Sequence, residues 1–561
     1  MKHKNIALAV ALLMSVGAFA QHNEEVTIEG TYRPKVNKVD KILMQAKTPQ
    51  QSFEMPSSEV RVLDIEHRFP LELEKLGALN YNGKNSQAPE PAKNFLMAGF
   101  GLRISPVFLY KHNSNLTKNL GLGVGIKHYS SWGDIKDYAP SSFMNNAFNI
   151  GLTSSKYKSV QLGVDVYYKN DMYHYYGVNL AETPLTDAQV ALFCPRQTYN
   201  TVGGHFGLVS TSTRVGELSH SGDIDYHFTF DNTYAREHFV GAEYGFGYAQ
   251  NWWGSKSHPQ KIGMDLAIQY DYFGQNDLYF MKVNPFFEMG DEFFKLHLGV
   301  RLDGVNRVQN KDEFLGVYPD VSGSLFVLNK KLEFYAGLNG GRKLLTYSDI
   351  INENPFVGSD ISVRAKNVKL GFDGGVRTNI GEVIDLHLGV RYRHTDNDPF
   401  YLVQGKMAGG YAVENMFDVF YDESYLTSVL ADVRWLAFDK VTVDAGATFN
   451  NYRLTVLDQP LYRPKYEARL KLNYCPVQSL SLYSSFLFQD GLFARNQSPL
   501  LTVPSMELKP VMDLGLGADY RFNDQLGVFV KVNNLLHQKY QLYYNYPVNG
   551  IEFFAGLKMT F

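Results

Sequence analysis

The amino-acid sequence predicts an all-β fold, a transmembrane antiparallel β-barrel of about 22 strands, with about 18–20 strands as the alternative count. Three observations lead to this prediction. Apolar residues alternate with polar residues and glycines along most of the chain, tyrosine and phenylalanine are abundant, and the last residue is Phe561. Such alternation is typical of strands that have one face on lipid and the other on a wet lumen.

The C-terminal stretch, residues 525–561, shows the alternation most clearly. Apolar residues occupy every second position from 551 to 561, and residues such as Gly556 and Lys558 lie between them. The same pattern recurs at 120–127, 162–167 and 513–520. A β-sandwich also exposes a polar face, so a secreted soluble β-protein is the alternative for any single strand. Recurrence along the whole chain favours the barrel.

The composition agrees with a membrane barrel. The 561 residues include 37 tyrosines, 38 phenylalanines and 48 glycines, and 20% of the residues are charged. Tyrosine and phenylalanine are favoured in strands and at membrane interfaces. Mean hydropathy is slightly negative, as expected when every second residue points at water. The net charge of −3 indicates no basic surface for nucleic acid. The expected surroundings of the predicted barrel are outer-membrane lipid.

The sequence divides into a signal peptide at 1–20, a periplasmic or lumenal segment at 21–93, and the transmembrane barrel at 94–561. Lys2 and Lys4 precede a short apolar run that ends at Ala20, which predicts export and cleavage before Gln21. Scattered prolines and charges from 21 to 93 predict an extended or loosely folded segment. The expected location is the outer membrane of a bacterium.

The connections predict the strand count. Short turns are predicted at 114–115, 155–156, 216–217, 255–256, 290–291, 329–330, 379–381, 439–440, 476–478 and 523–524. Bacterial barrels place short turns and both chain ends in the periplasm and longer loops outside. About ten turns then require about eleven outer hairpins, hence about 22 strands.

The longer connections are the predicted outer loops. They lie at 171–200, 342–364, 395–410, 453–465, 490–508 and 536–549. In the first, Thr186 and Gln189 have capping-box spacing, which predicts a short helix. Loops on a rigid scaffold often carry binding, so an unidentified small molecule or glycan is the expected ligand of these loops.

The end of the chain contains an Asn-Leu pair, a tyrosine, a Tyr-Pro pair, two glycines and a final phenylalanine. These residues are Asn534, Leu535, Tyr540, Tyr546, Pro547, Gly550, Gly556 and Phe561. The pattern resembles the C-terminal end of TonB-dependent outer-membrane receptors, although Asn549 and Ile551 stand where that family usually has Pro and Arg. The resemblance implies solute transport or ligand binding, and it implies that the barrel-insertion machinery reads Phe561 as an assembly signal.

Near the N-terminus, Glu25, Val26, Thr27 and Ile28 resemble the energy-coupling box of the same family. This implies a TonB-like partner that pairs with extended backbone by strand addition. Short Val/Thr-rich strings are common, so a chance match is the alternative. The segment 21–93 is much shorter than the family's globular plug and lacks counterparts of its motifs. We therefore expect 21–93, together with inward-folded loops, to occupy the lumen.

No catalytic or metal-binding spacing is present, so we expect a protein that is not an enzyme and carries no cofactor. His174, which lies among three tyrosines, is interpreted as part of a loop-base aromatic cluster. Asp165, Asp513 and Asp519 are interpreted as lumen acids that are solvated or paired across the barrel. Cys194 and Cys475 are far apart in sequence, and two unpaired thiols are the favoured interpretation.

Two functions follow from the sequence. The first is a TonB-dependent-receptor-like barrel with a reduced or absent plug, which serves transport or binding at the surface. The second is a structural or interaction barrel that anchors a surface or periplasmic partner protein without active transport. The sequence identifies neither the ligand nor the partner.

Overall fold

The computed structural model describes residues 93–157, 160–210, 215–253, 258–274, 276–307, 314–381, 383–408, 410–438, 440–494, 497–498, 501–502 and 505–561. The predicted signal peptide, nearly all of the 21–93 segment and the energy-coupling-like residues Glu25, Val26, Thr27 and Ile28 lie outside them. The described residues form a closed 22-stranded antiparallel barrel, which confirms the predicted fold and count.

The barrel strands follow the order of the chain. They are β1 (Asn94–Gly101), β2 (Ser105–Thr117), β3 (Leu120–Ser131), β4 (Phe143–Tyr157), β5 (Val160–His174), β6 (Arg196–Ser210), β7 (Leu218–Asp231), β8 (Arg236–Gln250), β9 (Gln260–Phe273), β10 (Asn276–Gly290), β11 (Phe294–Arg307), β12 (Leu315–Val327), β13 (Leu332–Leu344), β14 (Ala365–Ile380), β15 (Ile384–Ala408), β16 (Tyr411–Ala437), β17 (Val441–Leu454), β18 (Tyr466–Val477), β19 (Leu480–Asp490), β24 (Val511–Arg521), β25 (Leu526–Asn533) and β28 (Glu552–Thr560).

Shorter elements lie in the outer connections. The short strands are β20 (Phe493–Ala494), β21 (Gln497–Ser498), β22 (Leu501–Thr502), β23 (Met506–Glu507), β26 (Gln541–Tyr543) and β27 (Tyr546–Pro547). The helices are α1 (Asp187–Phe193) and α2 (Tyr347–Glu353). Neither of these two helices, the only ones in the described residues, is long and apolar enough to cross a membrane.

The barrel closes where its first strand meets its last. β1 pairs antiparallel with β28, and Asn94 and Phe561 exchange backbone hydrogen bonds of 2.8 and 3.0 Å. Gly99 lies opposite Gly556 in this pairing, and the ring of Phe529 lies over both. A Cβ on Gly99 would come within 2.6 Å of that ring, so the seam requires residues without side chains there.

The two faces of the wall differ as predicted. Val164, Val530 and Leu557 point outward and are exposed, as expected of side chains that face lipid. On the lumen face, Lys558 Nζ donates a 2.7 Å hydrogen bond to the Asp519 carboxylate. The wall therefore has the apolar outer face and the polar inner face of a membrane barrel.

Each predicted short turn lies at or close to a junction between consecutive strands. The largest offset is at 114–115, which lies inside β2, because the strand continues to Thr117 and the turn follows at 118–119. Asn94, the first residue of β1, and Phe561 lie on the same side as these turns. The side with the longer connections is called the outer side below.

One predicted loop is wrong. Residues 395–408 are extended as part of β15, and β16 starts at Tyr411. These two strands continue to pair with each other after their pairing with the neighbouring strands has ended, with register shifts after Thr395 and Gln404. The two strands satisfy each other's backbone groups there, and their apolar side chains are buried against the outer connections.

The wall allows a matched test of its two faces. Val164 is 47% exposed on the lipid face, whereas Gly163 faces the lumen and has open space around its Cβ position. Val164→Arg should cost about 2 kcal/mol of folding free energy in lipid vesicles, because lipid cannot solvate the guanidinium. Gly163→Arg should cost less than about 1 kcal/mol. Denaturant unfolding in vesicles measures both, and equal losses would contradict the orientation of β5.

Candidate functional site

Several outer connections fold inward and meet over the mouth of the barrel. They are the connections 175–195, 345–364, 455–465 and 534–551 and the outer part of the β15–β16 hairpin, residues 396–422. We call these segments together the cap. Their buried side chains form one continuous apolar cluster with residues at the outer ends of the barrel strands. The outer mouth is therefore covered by packed protein.

Aromatic rings form the centre of the cap. The rings of Phe356 and Tyr546 stack with centroids 3.7 Å apart, and the Phe417 ring lies 5.5 Å from that of Tyr543. Tyr462 packs against Tyr543 at 5.2 Å. All five rings are essentially inaccessible to solvent. Because they come from four separate segments, their packing holds the connections together.

Hydrogen bonds tie the hairpin to three other connections. Phe417 N–H donates to Phe356 O at 3.0 Å, and Gly358 N–H donates to Phe417 O at 2.9 Å. The Asn415 amide donates to the carbonyls of Tyr175 at 2.7 Å and Phe193 at 2.8 Å. The Tyr546 hydroxyl in turn donates to the Asn415 carbonyl. The hairpin is thus the common support of the cap.

The predicted helix is present in the first of these connections. α1 begins after Thr186, whose side chain accepts from Gln189 N–H while the Gln189 side chain accepts from Thr186 N–H. After α1, Cys194 is buried beside Asn415, and burial raises the pKa of its thiol to about 11. Cys194 and Cys475 are both free, so they do not pair with each other.

A second helix was missed by the sequence analysis. α2 begins after Thr346, which makes a capping box with Asp349, the same spacing that identified α1. Its first turn packs on the lumen wall, where Glu237 accepts from the backbone N–H groups of Tyr347 and Ser348. The Tyr347 hydroxyl donates to Asp231 at 3.0 Å. Wall carboxylates therefore hold the 345–364 connection inside the mouth.

A buried ion pair joins the hairpin to the 455–465 connection. The Arg463 guanidinium donates to the two oxygens of Asp398 at 2.7 and 3.1 Å and to Pro399 O at 2.7 Å. Lys366 Nζ donates to the same carboxylate at 2.8 Å. Burial alone would raise the pKa of Asp398, but the charges of Arg463 and Lys366 outweigh it and hold that pKa below its ordinary value.

Among the described residues, one group of side chains has the spacing of a metal site. The ligand atoms of His394, Asp396 and Glu423 lie within 4.8 Å of one another. Lys369 Nζ lies 2.9 Å from Asp396 and 3.1 Å from Glu423. The lysine ammonium thus supplies the positive charge that these carboxylates attract, and the group is explained as an ion-pair network.

Most residues of the C-terminal pattern lie after the outer end of β25 and in the cap, and the last two lie in β28 and at its end. Asn534 donates to the carbonyls of Gln538 and Asn549, each at 2.8 Å, and so closes the start of the 534–551 connection. The Tyr540 hydroxyl donates to Asp513 at 2.7 Å. Pro547 O accepts a 2.9 Å hydrogen bond from the Tyr176 hydroxyl, beside the central ring of Tyr546. Leu535 is exposed, Gly550 lies against the His537 ring, and Gly556 and Phe561 belong to the closing seam.

His174 and the lumen acids have ordinary partners. His174 Nδ1 lies 2.9 Å from Ser142 O, and the neighbouring Tyr173, Tyr175 and Tyr176 are buried in the cap cluster. Asp519 pairs with Lys558, as described above, and Asp165 faces Asn149 at 3.5 Å.

Beside the centre of the cap, a pocket lies between the 534–551 connection and the barrel wall. Its lining combines polar groups and aromatic rings. The polar residues are Ser141, Ser142, His174, Asp513, Asn533, Asn534, Asn549 and Glu552, and the rings are those of Phe143, Tyr173, Tyr176, Phe356 and Tyr540. No local sequence pattern marks this pocket, because its members come from separate strands and loops.

Known structures share the architecture. The siderophore receptor PirA from Acinetobacter baumannii has a TM-score of 0.63 at 11% identity, with 83% of this chain and 80% of that chain covered. The ferric-catecholate import receptor Fiu from E. coli K12 has 0.61 at 9%, with 84% and 82% covered. The copper transporter OprC has 0.57 at 12%, with 83% and 80% covered.

No protein-family model matches the sequence, and no curated protein matches it. At these low identities the likeness concerns the fold. The resemblance predicted from the C-terminal residues is confirmed at that level. The chain has the 22-stranded barrel fold of the TonB-dependent outer-membrane receptors.

Proposed function

We propose that this chain is a bacterial outer-membrane receptor barrel that serves solute transport or ligand binding at the cell surface. The observation that carries the proposal is the cap, in which separate outer connections meet above the lumen. Convergent loops on a rigid barrel are suited to ligand recognition. The neighbours in fold, a siderophore receptor, an import receptor and a copper transporter, support this function.

The remaining parts of the chain have roles in the same proposal. Residues 1–20 direct export, and the barrel-insertion machinery recognises Phe561. Residues 21–93 lie in the periplasm or lumen and restrict the pore from the inner side. Glu25, Val26, Thr27 and Ile28 pair with a TonB-like energy-coupling protein by strand addition. Selectivity comes from the outer connections and the lumen wall, and no reaction is catalysed.

Conductance of lipid vesicles tests whether residues 21–93 occupy the lumen. Because a barrel of about 22 strands needs a filled lumen to avoid leakage, the full chain should conduct little. Because the cap could block the current by itself, the deletion is compared in a Tyr546→Ala background, which removes a central ring of the cap. In that background, deletion of residues 21–93 should raise the current about tenfold or more, and equal currents would contradict lumenal occupancy. Heat-dependent migration on a gel shows whether the variant without residues 21–93 still forms a barrel.

Transport itself is tested in cells. Uptake of the solute should stop when the proton-motive force is collapsed, and it should also stop when residues 25–28 are replaced by glycine and serine. Uptake that is unaffected by both treatments would contradict energy coupling. Binding of ligand without any uptake would restrict the function to surface recognition.

The extensive bonding within the cap favours a second candidate function. A mouth that stays closed suits a barrel that anchors a surface or periplasmic partner protein. Purification from detergent extracts distinguishes the two functions. A partner that is lost on deletion of 21–93, with uptake unchanged, supports the anchor, whereas uptake that collapses without the proton-motive force supports the receptor.

A further inference from the structure

We propose that the pocket beside the cap binds a primary ammonium group, carried by a small amine or by the cationic end of a larger solute. The proposal rests on the proposed function and deepens it by naming a ligand class. The lining of the pocket includes Asp513, Asn533 and Glu552 and rings such as Phe143 and Tyr176. It contains no lysine or arginine, and its histidine, His174, contacts Ser142 O through Nδ1.

A buried acceptor without a partner points to a ligand. Asn533 is only 5% exposed, and its Oδ1 accepts no hydrogen bond within the described structure. Oδ1 lies over Gly515, 3.9 Å from the place where a Cβ would stand. A buried amide oxygen without a partner costs free energy, and an N–H donor supplied by a ligand would remove that cost.

Two carboxylates lie beside this acceptor. Glu552 is directly opposite Asn533 in the pairing of β25 with β28. Asp513 is held next to Asn533 by a 3.1 Å hydrogen bond from Asn534 N–H. Because a carboxylate has about four lone-pair positions, the hydrogen bonds that each one accepts leave room for another donor. A primary ammonium has three N–H donors, which match these three side chains.

Neutral groups supply the hydrogen bonds that these carboxylates accept from the pocket lining. Glu552 accepts a 2.8 Å hydrogen bond from the Asn549 amide, and Asp513 accepts one from the Tyr540 hydroxyl. The Arg103 guanidinium donates to Asn549 Oδ1 at 3.1 Å. Acceptor positions on both carboxylates therefore remain for a charged donor, which favours a cationic ligand.

The aromatic rings in the lining favour an organic cation over a metal ion. Calcium takes six to eight oxygen ligands, and rings such as Phe143, Tyr176 and Phe356 provide none from their faces. A ring face attracts an ammonium group through its negative potential. The carboxylates, the Asn533 acceptor and the rings together are complementary to R–NH₃⁺.

Calorimetric titration of the purified full chain in detergent tests the proposal with propylammonium, 1-propanol and calcium chloride. Propylammonium should bind, and 1-propanol should bind about tenfold more weakly or not at all, since it lacks the charge. Asn533→Asp should tighten propylammonium binding about threefold or more by adding a carboxylate. Asn533→Leu should weaken it about tenfold, because the acceptor is removed.

Asn284→Leu is the matched control for Asn533→Leu. Asn284 is 7% exposed on the lumen face, its Oδ1 also has no partner in the described structure, and it does not line the pocket. Binding should be unchanged in this variant. Equal binding of propanol, binding of calcium alone, or equal losses in the two leucine variants would overturn the proposal. If the protein takes up solute but does not bind propylammonium, a ligand with a primary ammonium group is excluded and the proposed transport function is unaffected.

Discussion

Tyr546→Ala is expected to open the cap. The substitution removes a ring that stacks on Phe356 and lies edge-on to Tyr176 at 4.8 Å, in a position without solvent access. Loss of a large buried ring costs about 3–5 kcal/mol, because the surrounding side chains cannot collapse into the space. Local opening of the cap should therefore become at least about a hundredfold more frequent.

Limited proteolysis of the outer connections in intact vesicles measures this opening. Cleavage within the cap should accelerate in Tyr546→Ala, while the barrel stays resistant. Tyr546→Phe retains the ring and loses only the hydrogen bond to the Asn415 carbonyl, so it should cost about 1 kcal/mol. Tyr234→Ala, at an 88% exposed position of an outer connection, should have no effect. Similar cleavage of the alanine and phenylalanine variants would show that ring packing does not hold the cap closed.

Arg463→Met is expected to have the second large effect. The methionine fills similar space but leaves the buried Asp398 carboxylate with Lys366 as its remaining cationic partner. Removal of one partner from a buried pair costs about 3–5 kcal/mol, because the other charge stays desolvated. Denaturant unfolding in detergent and proteolysis of the 455–465 connection should both reveal the loss.

A double variant separates the charge from the packing. Arg463→Met combined with Asp398→Leu should recover much of the stability, since the Asp398 carboxylate that had lost its guanidinium partner is then absent. Lys369→Met, which breaks a pair around a 40% exposed lysine, should cost less than about 1 kcal/mol. If Arg463→Met were no worse than Lys369→Met, the buried pair would not stabilise the cap.

The pH dependence gives a further check on Arg463→Met. The pKa of Asp398 in the unmodified chain is lowered, so its contribution to stability is present above the unfolded pKa and is lost as pH falls through the folded one. In Arg463→Met the carboxylate has lost most of this stabilisation. The difference between the two proteins should therefore shrink as pH falls below about 4, where a carboxyl of ordinary pKa becomes neutral.

The wall of the barrel could be predicted from the sequence because its physics is local and repetitive. Each strand must alternate between lipid and water, so Val164, Val530 and Leu557 could be oriented from their neighbours alone. The capping box of Thr186 and Gln189 is equally local, and α1 followed from it. Thr346 and Asp349 have the same capping-box spacing, so α2 was predictable in the same way.

The cap could not be predicted in this way, because it is made by contacts between distant segments. Nothing near Phe417 in the sequence indicates that it meets Phe356 and Tyr543. Asp398 and Arg463 are separated by many residues, and only the fold of the hairpin makes them a pair. The pocket around Asn533 and Glu552 likewise depends on the register of two strands and on the course of an outer connection.

The length of β15 and β16 has a mechanical consequence. The same two strands line the lumen and then continue, still paired with each other, into the middle of the outer surface. A paired ribbon that is part of the wall at one end is stiffer than a single connecting segment, because the ladder between its strands must bend as a unit. We therefore expect the hairpin to move less than the surrounding connections when the mouth opens.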